Sequence, residues 1–98
     1  VILVCANCEG GTALAEAVEA TGAPVRLVGC MNACGSAPVM AVRDPGREAY
    51  LFGPVPVAAA ADVPVFLELY RDAPGGRIAE ATAIPVLRHC LIGRIPAA

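Results

Sequence analysis

The chain has no lysine and no tryptophan, a single histidine, and four aromatic rings besides it, two Tyr and two Phe. All seven basic residues are arginines scattered along the sequence. Without a basic stripe the electrostatic footprint of a nucleic-acid binder is missing. No apolar run reaches the roughly 18 residues that mark a membrane span. There is no P-loop, no GxGxxG and no close pair of carboxylates, so phosphate handling and carboxylate acid–base chemistry lack their usual residues. No basic segment precedes the first strand-like run, so no secretory signal is expected. Five cysteines without such a signal point to metal binding or redox chemistry rather than disulfides, and to a cytoplasmic protein.

What the sequence does have is apolar residues, 57% of 98, rich in Ala and Val. That excludes disorder and is enough for one domain over residues 1–98. The net charge of −2 fits docking to a basic redox partner as well as an ordinary solvated surface.

Val1-Ile2-Leu3-Val4 is a continuous β-branched and aliphatic run, predicting a buried strand that ends at Cys5. Glu9-Gly10-Gly11-Thr12 breaks the chain, with Gly11 or Thr12 as a cap. Ala13 to Ala20 reads as a helix with Leu14, Ala17, Val18 and Thr21 on one face, and Gly22 stops it. Val25-Arg26-Leu27-Val28 is a second strand, so the start is a right-handed βαβ unit with parallel strands. Strands at Val39–Arg43 and Glu48–Phe52 flank the turn Asp44-Pro45-Gly46-Arg47 and make a hairpin. Asp62 is expected to cap a second helix, with Pro64 in its first turn and Val63, Phe66, Leu67 and Tyr70 on one face. The tail from Arg77 is mixed, with Pro85 starting a short helix through Cys90. The prediction is an α/β domain with a four-stranded mixed sheet, in the order β-α-β-β-β-α plus a tail.

Four cysteines form two close pairs, Cys5-x2-Cys8 and Cys30-x3-Cys34, separated by 21 residues. A parallel crossover ends both strands at the same sheet edge, where ligands collect in open α/β sheets, so the two pairs are expected to converge there. Four thiolates suit a [2Fe–2S] cluster, a [4Fe–4S] cluster, a single iron or Zn²⁺. The small residues Gly35-Ser36-Ala37-Pro38 leave room for inorganic sulfide and favour [2Fe–2S] over zinc. Gly35 is expected to use φ > 0. The bland alternative is that these thiols are compact apolar residues. A third reading is a redox dithiol, since Cys8 lies just before a helix N-terminus that lowers a thiol pKa. No cis-proline loop is evident to accompany it. His89 and Cys90 read as a helix-face histidine and a packed thiol rather than a nucleophile pair. Met31 and Asn32 read as shaping the loop, and Arg94 as pairing with a surface carboxylate.

The segment Cys30-Met31-Asn32-Ala33-Cys34-Gly35-Ser36-Ala37-Pro38 resembles the second ligand loop of thioredoxin-like [2Fe–2S] ferredoxins. It also resembles the corresponding loop in the small subunit of respiratory complex I and in NAD-linked hydrogenases. That resemblance implies a thioredoxin-like fold, Cys30 and Cys34 on one side of a [2Fe–2S] cluster, and one-electron transfer to a redox partner protein rather than enzymatic turnover. The first pair stands closer together than in those ferredoxins. Over the whole chain, the start Val4-Cys5-x-x-Cys8, Tyr50-Leu51-Phe52-Gly53 and the closing Arg94-Ile95-Pro96 resemble a bacterial family, domain of unknown function 1636. The likeness implies a metal-binding, thioredoxin-like domain. The candidate ligands are therefore Cys5, Cys8, Cys30 and Cys34, for [2Fe–2S] first and zinc second.

Overall fold

The structure is a computed structural model that describes residues 2–5, 10–29, 35, 37–79 and 81–96. The strands are β1 (Ile2–Cys5), β2 (Val25–Val28), β3 (Met40–Val42), β4 (Ala49–Phe52) and β5 (Leu91–Ile95), with helices α1 (Gly11–Glu19) and α2 (Val63–Asp72). They make one mixed sheet in the order β2-β1-β3-β4-β5. β1 and β2 are parallel, with Cys5 opposite Val28, and every other pairing is antiparallel.

The expected βαβ unit and hairpin are present. Asp44–Arg47 turns with Gly46 at φ +74, and the Arg47 amide donates to the Asp44 carbonyl at 3.1 Å. Proline at the second turn position and a left-handed glycine at the third give this reversal without strain. Four strands was too few. The tail supplies β5, which pairs antiparallel with β4, and its register slips at Leu51/Phe52. The extra residue breaks the alternation that would have marked a strand, and Leu91, Ile92 and Ile95 are all exposed. The short helix expected up to Cys90 is a 3-10 turn over Leu87–Cys90.

Both helices lie on one face of the sheet. Leu14 and Val18 of α1 and Val63, Phe66 and Tyr70 of α2 share a core with Ile2, Val4, Met40, Val42, Tyr50 and Phe52. The face predicted for α2 is the buried one, except that Leu67 is half-buried. Phe66 meets Tyr50 and Phe52 edge-on, with ring centroids at 5.2 and 5.3 Å. The hydroxyl of buried Tyr50 donates to the Gly76 carbonyl at 2.8 Å and accepts the Ile78 amide at 2.9 Å, so the ring is buried without an orphaned polar end. Arg47 turns back from the hairpin and donates to the carbonyls of Tyr70, Arg71 and Ala73, placing a cation at the end of α2 where the helix dipole favours one.

Asp62 does not cap α2 with its side chain. Its Oδ2 instead accepts the amides of Val86 and Leu87 at 2.9 and 3.0 Å, fixing the tail where the 3-10 turn begins. Removing the carboxylate leaves two amides without that acceptor. Asp62→Ala is expected to lower stability by about 1–3 kcal/mol, measured by urea unfolding.

Candidate metal centre

Cys5 ends β1 on the sheet face away from the helices. It is fully buried, in a small cluster with Val39 that is flanked by Ala37 and Leu51. Its amide donates to the Val39 carbonyl at 3.2 Å. The alternation along β1 explains the position: Ile2 and Val4 turn to the helical core, and Leu3 and Cys5 turn away from it.

A second close approach lies beside the first. Gly10 precedes α1 with φ +80, and a β-carbon built there would stand 3.5 Å from Cγ of Pro38. Pro38 in turn offers its carbonyl to the Val55 amide at 2.9 Å. The chain leaving Cys5-x2-Cys8 and the chain leaving Cys30-x3-Cys34 therefore meet at two points, Cys5 with Val39 and Gly10 with Pro38. Cys8, Cys30, Cys34, Met31, Asn32 and Ser36 lie outside the described residues. Among the described residues, no three His, Cys, Asp or Glu side chains form a group that holds a metal ion.

Two expectations about this loop need correction. Gly35 does not use φ > 0, and a β-carbon there would meet no described residue within 4 Å. The left-handed glycine at the site is Gly10, which sequence reasoning treated only as part of a break. Its signal was the Gly10-Gly11 pair, but the partner that makes it matter is 28 positions away. The Ala37–Pro38 peptide is also cis, as is Gly53–Pro54.

Cys90 belongs to the other side of the sheet, in the core shared with both helices. Its Sγ donates to the Val86 carbonyl at 3.5 Å, and burial, with the nearby Asp62 charge, pushes its pKa up. His89 is exposed, and its Nε2 lies 3.4 Å from Nε of Arg88. A raised thiol pKa keeps Cys90 neutral, so its contribution to stability is complete below the pKa of an unfolded thiol. That contribution is lost as the pH rises through the folded value. Brief alkylation at pH 8 should leave Cys90 unmodified in the native chain and modified in urea, read by mass spectrometry. Arg94 of β5 pairs with a carboxylate, its Nε 3.0 Å from Oε1 of Glu48 just before β4, but that oxygen is buried rather than on the surface.

These features define a two-layer α/β domain with a buried cysteine at the carboxyl edge of its parallel strand pair. The chain matches the family described as a protein of unknown function (DUF1636) over residues 6–97, and it belongs to that family. No curated protein and no solved structure matches it. No helix among the described residues is long and apolar enough to cross a membrane.

Proposed function

We propose that the protein is a thioredoxin-like [2Fe–2S] domain of the cytoplasm, with Cys5, Cys8, Cys30 and Cys34 as ligands, that exchanges single electrons with a partner protein. The observation that carries this reading is that the flanks of the two cysteine pairs come together, Cys5 bonded to Val39 and Gly10 close to Pro38. A βαβ unit, a hairpin and then a helix, with β1 between β2 and β3, supports the thioredoxin-like description of the first four strands.

The donor set fits the group. Thiolate sulfur is the ligand that iron–sulfur clusters take, and Cys5 offers it from a buried position between Ala37 and Val39. Bound there, a [2Fe–2S] cluster supplies one-electron transfer. The chain contributes an apolar, low-dielectric wall of Val39, Ala37 and Leu51 against the buried Cys5. Such a wall tunes a cluster's potential by limiting solvent access.

The test is metal and sulfide analysis of protein purified without oxygen. Brown-red protein with equal iron and sulfide is the expected result. Cys34→Ala should abolish the visible absorption and leave the far-UV circular dichroism intact, because both helices are packed by the core residues named above. Cys90→Ser should leave metal content unchanged. Colourless protein holding stoichiometric zinc would replace electron transfer with a zinc-binding or metal-handling role. Colourless, metal-free protein with a reducible disulfide would replace it with thiol–disulfide exchange.

A further inference from the structure

On the helical side of the sheet, between the aromatic cluster and the tail, lies a cavity of about 100 Å³. Tyr50 and Phe52 of β4 and Phe66 of α2 form its floor, and Ile78, Ala81 and Ile84 of the tail wall it. The three rings are at most 5% exposed. Arg88, Leu91 and Arg94 are exposed and form the rim. The lining shares no residue with the Cys5 cluster on the opposite face, so this site does not depend on the metal reading. A void larger than a water molecule is uncommon in a close-packed interior.

Water fits this cavity badly, because a buried water needs about two to four polar partners. The only polar atom of the three floor rings is the Tyr50 hydroxyl, which already donates to the Gly76 carbonyl and accepts the Ile78 amide. Ions fit no better. Arg94 is held by Glu48, so an anionic head would meet that carboxylate beside the guanidinium, and a cationic head would meet the guanidiniums of Arg94 and Arg88. Arg88 keeps its charge in water, its Nε directed at the neighbouring His89. An uncharged apolar guest meets none of these costs, and a dry cavity of roughly 150 Å³ lined by apolar side chains is enough to hold benzene. The cavity here is smaller but open at its rim, so a ring can stand partly out of it. The floor favours a flat, unsaturated guest, since aromatic pairs gain from edge-to-face and offset-stacked contacts beyond the area they bury. We propose that this cavity binds a neutral aromatic ring of about the size of benzene. The ring would lie against Phe52 and Phe66 under Ala81 and Ile84, with its outer edge between Arg88 and Arg94.

The experiment is an NMR titration of the whole chain at neutral pH with benzene, and with cyclohexane, benzoate and benzylamine for comparison. Saturable shifts centred on Ile78, Ala81, Ile84 and Leu91 are expected with benzene. Benzoate and benzylamine should each bind about tenfold more weakly or worse, and cyclohexane, which lacks the ring quadrupole, several-fold more weakly. Ala81→Leu should fill the cavity and weaken benzene about tenfold or more. Leu91→Trp, which narrows the rim, serves the same purpose should Ala81→Leu fail to fold by circular dichroism. Benzene shifts that do not saturate, or that are indifferent to the substitution, would overturn the proposal. So would cyclohexane bound as well as benzene. Benzoate or benzylamine bound as tightly as benzene would overturn it too, since the cavity would then belong to an ion.

Discussion

Phe66→Ala should lower the unfolding free energy by about 3–5 kcal/mol, the range for emptying a fully buried aromatic site. Phe66 is 1% exposed and is the ring on which the aromatic cluster closes. Tyr50 and Phe52 meet it edge-on, and Tyr70 stacks on it with centroids at 5.7 Å. Tyr50 is held by its two hydrogen bonds to Gly76 and Ile78 and cannot move into the space without breaking them. In a domain of this size the loss corresponds to a fall in Tm of roughly 4–8 °C for each kcal/mol. Phe66→Leu keeps most of the volume and should cost less than about 1.5 kcal/mol. Thermal unfolding of both variants beside the parent decides it. If alanine and leucine destabilise equally, the cluster is not packed as described.

Gly10→Val should empty the proposed metal site while leaving the domain folded. A β-branched residue at φ +80 costs roughly 1–2 kcal/mol in backbone strain alone. Its γ-methyls would also extend beyond a β-carbon already in van der Waals contact with the Pro38 ring and press Gly10 and Pro38 apart. Gly22→Val separates the two effects. Gly22 also has a positive φ, +92, but a β-carbon there meets nothing within 4 Å, and it lies after α1 rather than between the cysteine pairs. Both variants should lose about the same stability, roughly 1–2 kcal/mol. Bound metal, counted after anaerobic purification, should fall at least several-fold in Gly10→Val alone. Equal metal in the two would mean that the Gly10–Pro38 contact does not hold the loops in register.

The central strands could be read from residues because each announces itself locally. Ile2 to Val4 and Val25 to Val28 are uninterrupted apolar or β-branched runs with one arginine, and Asp44-Pro45-Gly46-Arg47 dictates its own turn. The spacing of Val63, Phe66 and Tyr70 gave the buried face of α2. β5 escaped notice because its residues are exposed on both sides and its register slips, so neither a buried run nor an alternating one was there to find. Asp62 shows the same limit in side-chain form. Its place before a proline-containing helix suggests a cap, but its partners are amides 24 and 25 positions on. At the site, the position of Cys5 followed from the end of β1. The roles of Gly10 and Gly35 did not, because a glycine's backbone angle is set by what approaches it in space.

The sheet order has a consequence for how this chain is made. β1 precedes β2 and β3 in the chain, yet it lies between them in the sheet, and β3 begins 38 positions after Ile2. During synthesis from the N-terminus, β1 can join β2 across α1 early but keeps its other edge open until residues 40–42 emerge. A two-strand intermediate with an unpaired, aliphatic edge is prone to pair with its neighbours on the same message. Ribosomes stalled before Met40 should therefore carry nascent chains that aggregate, and those stalled after Phe52 should carry chains that do not.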